Sequence, residues 1–206
     1  MTSSLLWSRP PHVTKNEFIA ALTAFQRKSE LINDNWNLEG GGIQAPYIIK
    51  KDVLHNLTSQ DPERKWCRID YHVVYSASYQ MPVLYFIAYW PDGLTLALEE
   101  TYYVFSQLSS VTPEHLASIK ETPFGGSISQ NDHPNLGVPY YYLHPCNSAS
   151  LLSLVFGLEC TGCSNSLERA RCPKLSDFIP AFLSFFGPPI GLELEQAYFE
   201  AAMSNQ

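Results

Sequence analysis

The chain has 206 residues, of which 45% are hydrophobic and 16% are charged, so it is long and apolar enough to bury a core and is not intrinsically disordered. The net charge of −7, without any cluster of lysine and arginine, argues against nucleic acid and anionic membranes as partners. The apolar runs are too short for a transmembrane segment, and the first residues lack the pattern of a signal peptide. Five cysteines in such a chain indicate free thiols in a reducing, cytoplasmic compartment.

The first predicted element is an amphipathic helix over residues 15–31. Thr14 caps its start and Glu17 completes a capping box, because the two side chains can each bind the other's backbone N–H. Residues 1–13 are expected to form a flexible tail. A short strand is predicted at 47–50, and the polar residues 51–65 are expected to be a surface insertion.

The middle of the chain predicts an antiparallel pair of strands. Residues 69–79 and 83–90 are rich in aromatic and β-branched residues, with a break between them and an Asp-Gly turn after them. The second segment is apolar on both faces, so we expect a central strand that is covered by helices.

The C-terminal part alternates between irregular and helical patterns. Residues 124–139 look irregular, 140–143 form a strand, and helices are expected at about 148–158, from 176 to 186, and at 192–203. Residues 160–173 are expected to be a surface insertion. The order of elements predicts a single α+β domain over residues 1–206.

Cys146 lies where the strand at 140–143 gives way to the next predicted helix. The free N–H groups at a helix start favour a thiolate, which is the nucleophilic form of cysteine. His144, two residues earlier, is positioned to assist as a hydrogen-bonding group or as a cation. The alternative from position alone is a buried, inert cysteine, which is the commoner fate of a lone thiol.

Other candidate chemistry is weaker. A cysteine hydrolase would need a distant histidine, for which His72, His115 and His133 are available. The Cys-x-x-Cys of Cys160 and Cys163, followed by Cys172, lacks a nearby fourth ligand for zinc and the βαβ frame of a redox pair. His133, Pro134 and Asn135 form the His-Pro-Asn of ordinary ubiquitin-conjugating enzymes, in which the asparagine helps to stabilise the oxyanion. In this chain Cys146 follows at a longer interval than in those enzymes.

Four segments in order resemble the autophagy-related protein 10 family of ubiquitin-like-conjugating enzymes. They are Tyr-His-Val-Val-Tyr-Ser-Ala-Ser-Tyr-Gln-Met-Pro-Val-Leu-Tyr-Phe at 71–86, Ile-Ser-Gln-Asn-Asp-His-Pro at 128–134, His-Pro-Cys at 144–146, and Phe-Gly-Pro-Pro-Ile-Gly-Leu-Glu-Leu at 186–194. The resemblance extends over about residues 15–201.

The resemblance implies a ubiquitin-conjugating-enzyme-like core, an antiparallel sheet flanked by helices. It implies that Cys146 receives the ubiquitin-like autophagy-related protein 12 as a thioester from the activating enzyme, autophagy-related protein 7. A lysine of autophagy-related protein 5 then attacks the thioester. No metal and no organic cofactor is implied, since acyl transfer in two steps needs only a thiolate that attacks and leaves well.

Several alternatives stay open. The lipid-conjugating autophagy-related protein 3 type is less similar, because its long acidic insertion is missing here. A cysteine hydrolase, a non-catalytic interaction domain and a zinc module on Cys160, Cys163 and Cys172 are the others. Oxyanion candidates are His144, Asn135, Tyr79 and the backbone N–H groups after Cys146. The edge of the strand at 68–79 is a hypothetical docking site for a partner strand.

Overall fold

The computed structural model describes residues 11–41, 45–59, 61, 64–108, 128–145, 152 and 174–199. Its helices are α1 (Lys15–Ile32), α2 (Leu98–Leu108) and α3 (Phe178–Phe186), with short 3₁₀ helices at Leu175–Asp177, Pro188–Ile190 and Gln196–Tyr198. Its strands are β1 (Asn37–Glu39), β2 (Tyr47–Asn56), β3 (Trp66–Ser76), β4 (Met81–Tyr89), β5 (Ile128–Asp132) and β6 (Pro139–Leu143). None of these described helices combines the length and apolarity that crossing a membrane requires.

The six strands form one antiparallel sheet in the order β1-β2-β3-β4-β6-β5. This confirms the α+β class and the hairpin of β3 and β4, which are joined by the turn at residues 77–80. It also confirms that β4 is an inner strand. β4 pairs with β6 through Tyr85 with Tyr142 and Phe86 with Tyr141. Near its C-terminal end β4 has a different neighbour, because the backbone N–H of Leu96 donates to the carbonyl of Ala88 at 2.9 Å.

The sheet has two different faces. The three helices pack with the first face into the main core, which contains Phe18 of α1, Phe86 of β4 and Phe182 of α3. The other face carries a separate buried cluster built from alternate residues of the same strands, Tyr47, Ile49, Val74, Val83, Tyr85 and Tyr140. Successive side chains of a strand point to opposite faces, so both faces of β4 are apolar.

The capping box at the start of α1 is present as predicted. The backbone N–H of Glu17 donates to the Thr14 hydroxyl at 3.2 Å, and the backbone N–H of Thr14 donates to the Glu17 carboxylate at 2.7 Å. The helix ends at Asn33, which adopts the left-handed conformation at φ 56°. Asparagine tolerates this conformation better than most residues, which explains the stop.

Three predictions about the sheet are wrong. The insertion predicted at 51–65 is wrong in its first part, because β2 continues to Asn56 across a bulge between Lys50 and Val53. At that bulge Asp52 has φ 55° and donates its backbone N–H to the Asp70 carboxylate at 2.8 Å. The irregular stretch 124–139 contains β5. The open edge expected for β3 does not exist, because β2 and β4 pair with it on both sides.

Both chain ends also differ from the prediction. Residues 11–13 are not a flexible tail, since Val13 is buried and donates its backbone N–H to Gln80 at 2.9 Å. The helix expected at 192–203 is replaced, in its described part, by coil and the 3₁₀ helix Gln196–Tyr198. Tertiary contacts outweigh helical propensity there. Tyr198 stacks on Phe25 with ring centroids 4.6 Å apart, and its hydroxyl donates to Asp34 at 2.9 Å.

The Gly-Pro-Pro-Ile-Gly motif has a structural explanation. A side chain at Gly187 would collide with the backbone carbonyl oxygens of Leu183 and Leu192. Gly191 has φ +77°, and a Cβ atom there would lie 2.7 Å from a methyl group of Leu108. The two glycines of the motif therefore allow the chain to turn sharply between α3 and the C-terminal segment and to pack closely on Leu108 of α2.

Candidate active site

The candidate nucleophile follows the inner strand β6. His144 and Pro145 come directly after this strand; His144 is half-buried and Pro145 is buried. Cys146 itself, like the helix predicted after it, lies outside the described residues, apart from Leu152, which is fully buried in the main core. The described part of the chain therefore shows the two residues that precede Cys146 and their neighbours.

Two sequence-predicted candidates, Tyr79 and His144, come together in the structure. The Tyr79 hydroxyl lies 3.4 Å from Nε2 of His144, a long hydrogen bond in which either group donates, depending on the histidine tautomer. Their rings meet edge to face with centroids 5.7 Å apart. Tyr79 stands in the turn between β3 and β4 and is 41% exposed. The pair thus presents a phenol and an imidazole at the surface, two residues before Cys146.

Tyrosines of the central strands support this pair from the sheet. The ring of Tyr142 lies 6.1 Å from that of His144, and Tyr142 stacks on Tyr85 of β4 at 5.3 Å. Tyr85 and Tyr142 are also cross-strand partners, so their stacking follows from the register of β4 and β6. Among these tyrosines the sequence predicted only Tyr79; Tyr142 of β6, whose ring lies near that of His144, and Tyr85 behind it were not predicted.

Asn135 lies away from this pair. It belongs to the turn between β5 and β6, whereas His144 follows the other end of β6, about 15 Å further along at the rise of an extended strand. The Asn135 side chain donates to the Ala45 carbonyl at 2.7 Å and so connects this turn to the loop before β2. The geometry gives Asn135 a bracing function at the turn and does not favour it as an oxyanion donor beside His144.

His72 and His133, considered above as partners of a cysteine hydrolase, form a buried pair of their own. Nδ1 of His72 lies 3.1 Å from Nε2 of His133, and the two side chains are 2% and 0% exposed. The rings of Tyr47, Tyr85 and Tyr140 pack against them. The alternation of side chains along β3 could have indicated that His72 is buried, because it places His72 on the same face of the sheet as the buried Val74.

The backbone fixes the protonation of this pair. The N–H groups of Asn135 and Leu136 both donate to Nδ1 of His133, at 3.2 and 3.3 Å, so this nitrogen carries no proton. The neutral ring is then protonated on Nε2 and donates to Nδ1 of His72. The remaining proton of His72 sits on Nε2, a buried nitrogen without a hydrogen-bond partner in the described structure.

Burial keeps both imidazoles neutral. It lowers the pKa of His72 to about 3, with further lowering by the neighbouring His133 and Lys51, and it lowers the pKa of His133 to about 4. His115 lies outside the described residues. Both histidines are enclosed, neutral and hydrogen-bonded to each other, so they are poorly placed to act as the base of a cysteine hydrolase, and this arrangement does not favour that alternative.

Cys67 is the one thiol within the described ranges, and it is inert. It is fully buried in the main core, and burial raises the pKa of the Cys67 thiol to about 12. A thiol with such a pKa is not a nucleophile near neutral pH. Cys160, Cys163 and Cys172 lie outside the described residues, so the zinc alternative stays untested; the described part of the chain holds no group of three or more metal-binding side chains.

The fold and this geometry define a class of protein. It is an α+β protein in which a tyrosine contacts a histidine, and that histidine precedes a cysteine by two residues in the chain. The family model "Autophagocytosis associated protein, active-site domain" matches residues 17–196. The chain therefore belongs to the autophagocytosis-associated protein family.

Three relatives are similar to the chain over its greater part. The "Ubiquitin-like-conjugating enzyme ATG10" of Homo sapiens is 32% identical over 139 residues, 68% of this chain and 56% of that protein. The enzymes of the same name from Arabidopsis thaliana and Dictyostelium discoideum are 30% and 29% identical, over 70% and 60% of this chain and 58% and 50% of those proteins. The chain thus spans about half the length of these relatives.

A solved structure, "Crystal structure of Autophagic E2, Atg10", matches with a TM-score of 0.44 and 13% identity, covering 88% of this chain and 99% of that one.

Proposed function

We propose that the chain is an E2-like enzyme that carries a ubiquitin-like protein as a thioester on Cys146 and transfers it to an amine, as the autophagy-related protein 10 resemblance implies. The observation that carries the proposal is the contact between Tyr79 and His144, which are 65 residues apart in the chain and meet two residues before Cys146. Membership in a family defined by an active-site domain supports it.

The proposed reaction has two acyl transfers. In the first, the Cys146 thiolate attacks the thioester carbonyl held by the activating enzyme. A C–S bond forms to Cys146, the earlier C–S bond breaks, and the cysteine of the activating enzyme leaves as a thiolate. In the second, a lysine amine attacks, a C–N bond replaces the C–S bond, Cys146 leaves as a thiolate, and the amine proton passes to a base in solution.

In both steps a tetrahedral intermediate carries a negative oxygen. Hydrogen-bond donors aimed at that oxygen lower the barrier, and removing one such donor costs about 100- to 1,000-fold in well-enclosed sites. The Tyr79 hydroxyl and the His144 imidazole are the proposed donors. Since Tyr79 is 41% exposed, we expect a smaller effect here, on the order of 10-fold.

The partners belong to the same proposal. The activating enzyme would be autophagy-related protein 7, the cargo autophagy-related protein 12 and the acceptor autophagy-related protein 5, which makes the role one in autophagosome formation and protein transport. A cytosolic location is part of it, because a nucleophilic thiol must remain reduced.

The decisive experiment is a loading assay. The protein is incubated with the activating enzyme, the ubiquitin-like protein and ATP, and adducts are separated with and without reductant. We expect a reducible adduct on the unaltered chain, a reductant-resistant ester or no adduct for Cys146→Ser, and none for Cys146→Ala. Cys160→Ser, Cys163→Ser and Cys172→Ser serve as matched thiol controls and should load normally. A full thioester on Cys146→Ala would refute the assignment.

The same assay separates the alternatives. A hydrolase would cleave a small thioester or a peptide without the activating enzyme and ATP. A lipid-conjugating relative of the autophagy-related protein 3 type would load but discharge onto an aminolipid vesicle rather than onto autophagy-related protein 5. A non-catalytic interaction domain would not load, and its Cys146 would be alkylated no faster than its other thiols.

A further inference from the structure

The segment before α1 lies against the turn that carries Tyr79. Nδ1 of His12 lies 3.2 Å from the backbone carbonyl oxygen of Tyr79, and because a carbonyl only accepts, the imidazole donates. One residue later, the backbone N–H of Val13 donates to the carbonyl of Gln80 at 2.9 Å. Two consecutive residues of the segment thus bind two consecutive residues of the turn.

This segment, residues 11–14, is itself firmly held, and we call it the N-terminal strap. The Val13 side chain is 1% exposed in the main core, and its carbonyl accepts from the Tyr75 hydroxyl at 3.0 Å. Thr14 then forms the capping box that begins α1. The strap therefore connects the turn to both β3 and α1, and it can transmit their rigidity to Tyr79.

The turn needs such support. Gln80 has φ 52°, a left-handed conformation that is strained for a residue with a side chain. Tyr79 is at an exposed position of this turn, so the protein core does not enclose its ring. The distance of 3.4 Å between its hydroxyl and His144 is already long, and a displacement of about 1 Å can cost about 100-fold in rate when a catalytic group must meet a reacting atom.

We propose that the N-terminal strap positions the Tyr79 hydroxyl beside His144, with His12 as the positioning residue. The inference rests on the proposed function, because the hydroxyl is useful there only if an acyl group is transferred at Cys146. His12 touches neither the acyl group nor the thiol in this proposal. It acts through the backbone of Tyr79.

A double-mutant cycle tests the inference. The 206-residue chain and its variants are loaded to the thioester, and discharge onto free L-lysine is followed in a single turnover, so that no acceptor protein can contact the strap. We expect His12→Ala to lower the maximal rate constant about 5-fold, within the loss on the order of 10-fold expected for removing the Tyr79 hydroxyl itself, with an unchanged half-saturating lysine concentration. His12→Gln, which keeps a side-chain donor, should restore most of the rate.

The cycle decides whether His12 works through Tyr79. In a Tyr79→Phe background, which lacks the hydroxyl, His12→Ala should have no further effect. The matched control is Asn37→Ala, which removes an exposed side-chain hydrogen bond on the edge strand β1 and should discharge normally. An unchanged rate for His12→Ala, or an equal loss in both backgrounds, would overturn the inference. Failure of the proposed function would be visible earlier, as the absence of a reducible adduct on the unaltered chain or as a thioester on Cys146→Ala.

Discussion

Acidification should unfold this protein through the buried pair of His72 and His133. Both imidazoles are neutral in the folded chain because burial lowers their pKa values, to about 3 and about 4, from the ordinary 6.5. In the unfolded chain both bind a proton as the pH falls below about 6.5. The unfolded state therefore binds more protons, and the stability that the pair contributes is fully present above pH 6.5 and is lost as the pH falls toward the folded pKa values.

The magnitude follows from the number of protons. Each histidine that is neutral when folded and charged when unfolded lowers the free energy of unfolding by about 1.4 kcal/mol per pH unit. For the pair this is nearly 3 kcal/mol per unit, or about 4 kcal/mol between pH 6 and pH 4.5. Such a loss is a large share of the 5 to 15 kcal/mol that is typical of folded domains.

The assay is urea unfolding at several pH values, followed by tryptophan fluorescence, in the unaltered chain and in His72→Asn. The asparagine oxygen can still accept from His133 but does not titrate, so the slope of stability against pH should fall by about 1.4 kcal/mol per unit. Other titrating groups, such as His55 and Asp70, are present in both proteins and cancel in the comparison. Identical slopes, or NMR signals of His72 and His133 that titrate near pH 6.5, would refute the argument.

Three further predictions concern stability and reactivity. Gly191→Ala should lower the free energy of unfolding by about 1 to 3 kcal/mol, because the alanine would have a left-handed φ and its Cβ would clash with Leu108. Thermal unfolding measures this loss, and an unchanged midpoint would contradict the clash. Thr14→Ala should cost about 1 kcal/mol through the lost cap of α1, again by urea unfolding, whereas Thr14→Ser should be nearly neutral. The Cys67 thiol should react with a thiol reagent only after unfolding, because it is buried with a raised pKa; rapid modification of Cys67 in the native chain, located by mass spectrometry, would contradict this.

Local sequence signals predicted local structure well. The cap of Thr14 and Glu17, the hairpin of β3 and β4 and the end of β6 at Leu143 all depend on neighbours in the chain, and all three are confirmed. The errors fall where a distant contact decides. β2 runs through polar residues because it pairs with β3 across a bulge, and the segment around Tyr198 is not a regular helix because it packs on Phe25. Neither partner is visible in a local window of sequence.

The candidate site shows the same division more sharply. Asn135 is nearer to Cys146 in the chain than Tyr79 is, yet β6 separates the turn of Asn135 from His144. Tyr79 is 65 residues from His144, but the antiparallel register of β4 and β6 brings the start of β4 to the end of β6, and the turn before β4 comes with it. Distance in sequence therefore misleads, whereas strand register decides which polar groups lie beside His144. The position of β6 in the sheet was not predictable from the sequence. Its other neighbour, β5, consists of Ile-Ser-Gln-Asn-Asp, which has little strand propensity, so the hairpin of β5 and β6 gives no clear sequence signal. The pairing of β5 with β6 places the turn that contains Asn135 at the start of β6, whereas His144 follows the end of β6. The tyrosine, not the asparagine, therefore contacts the histidine.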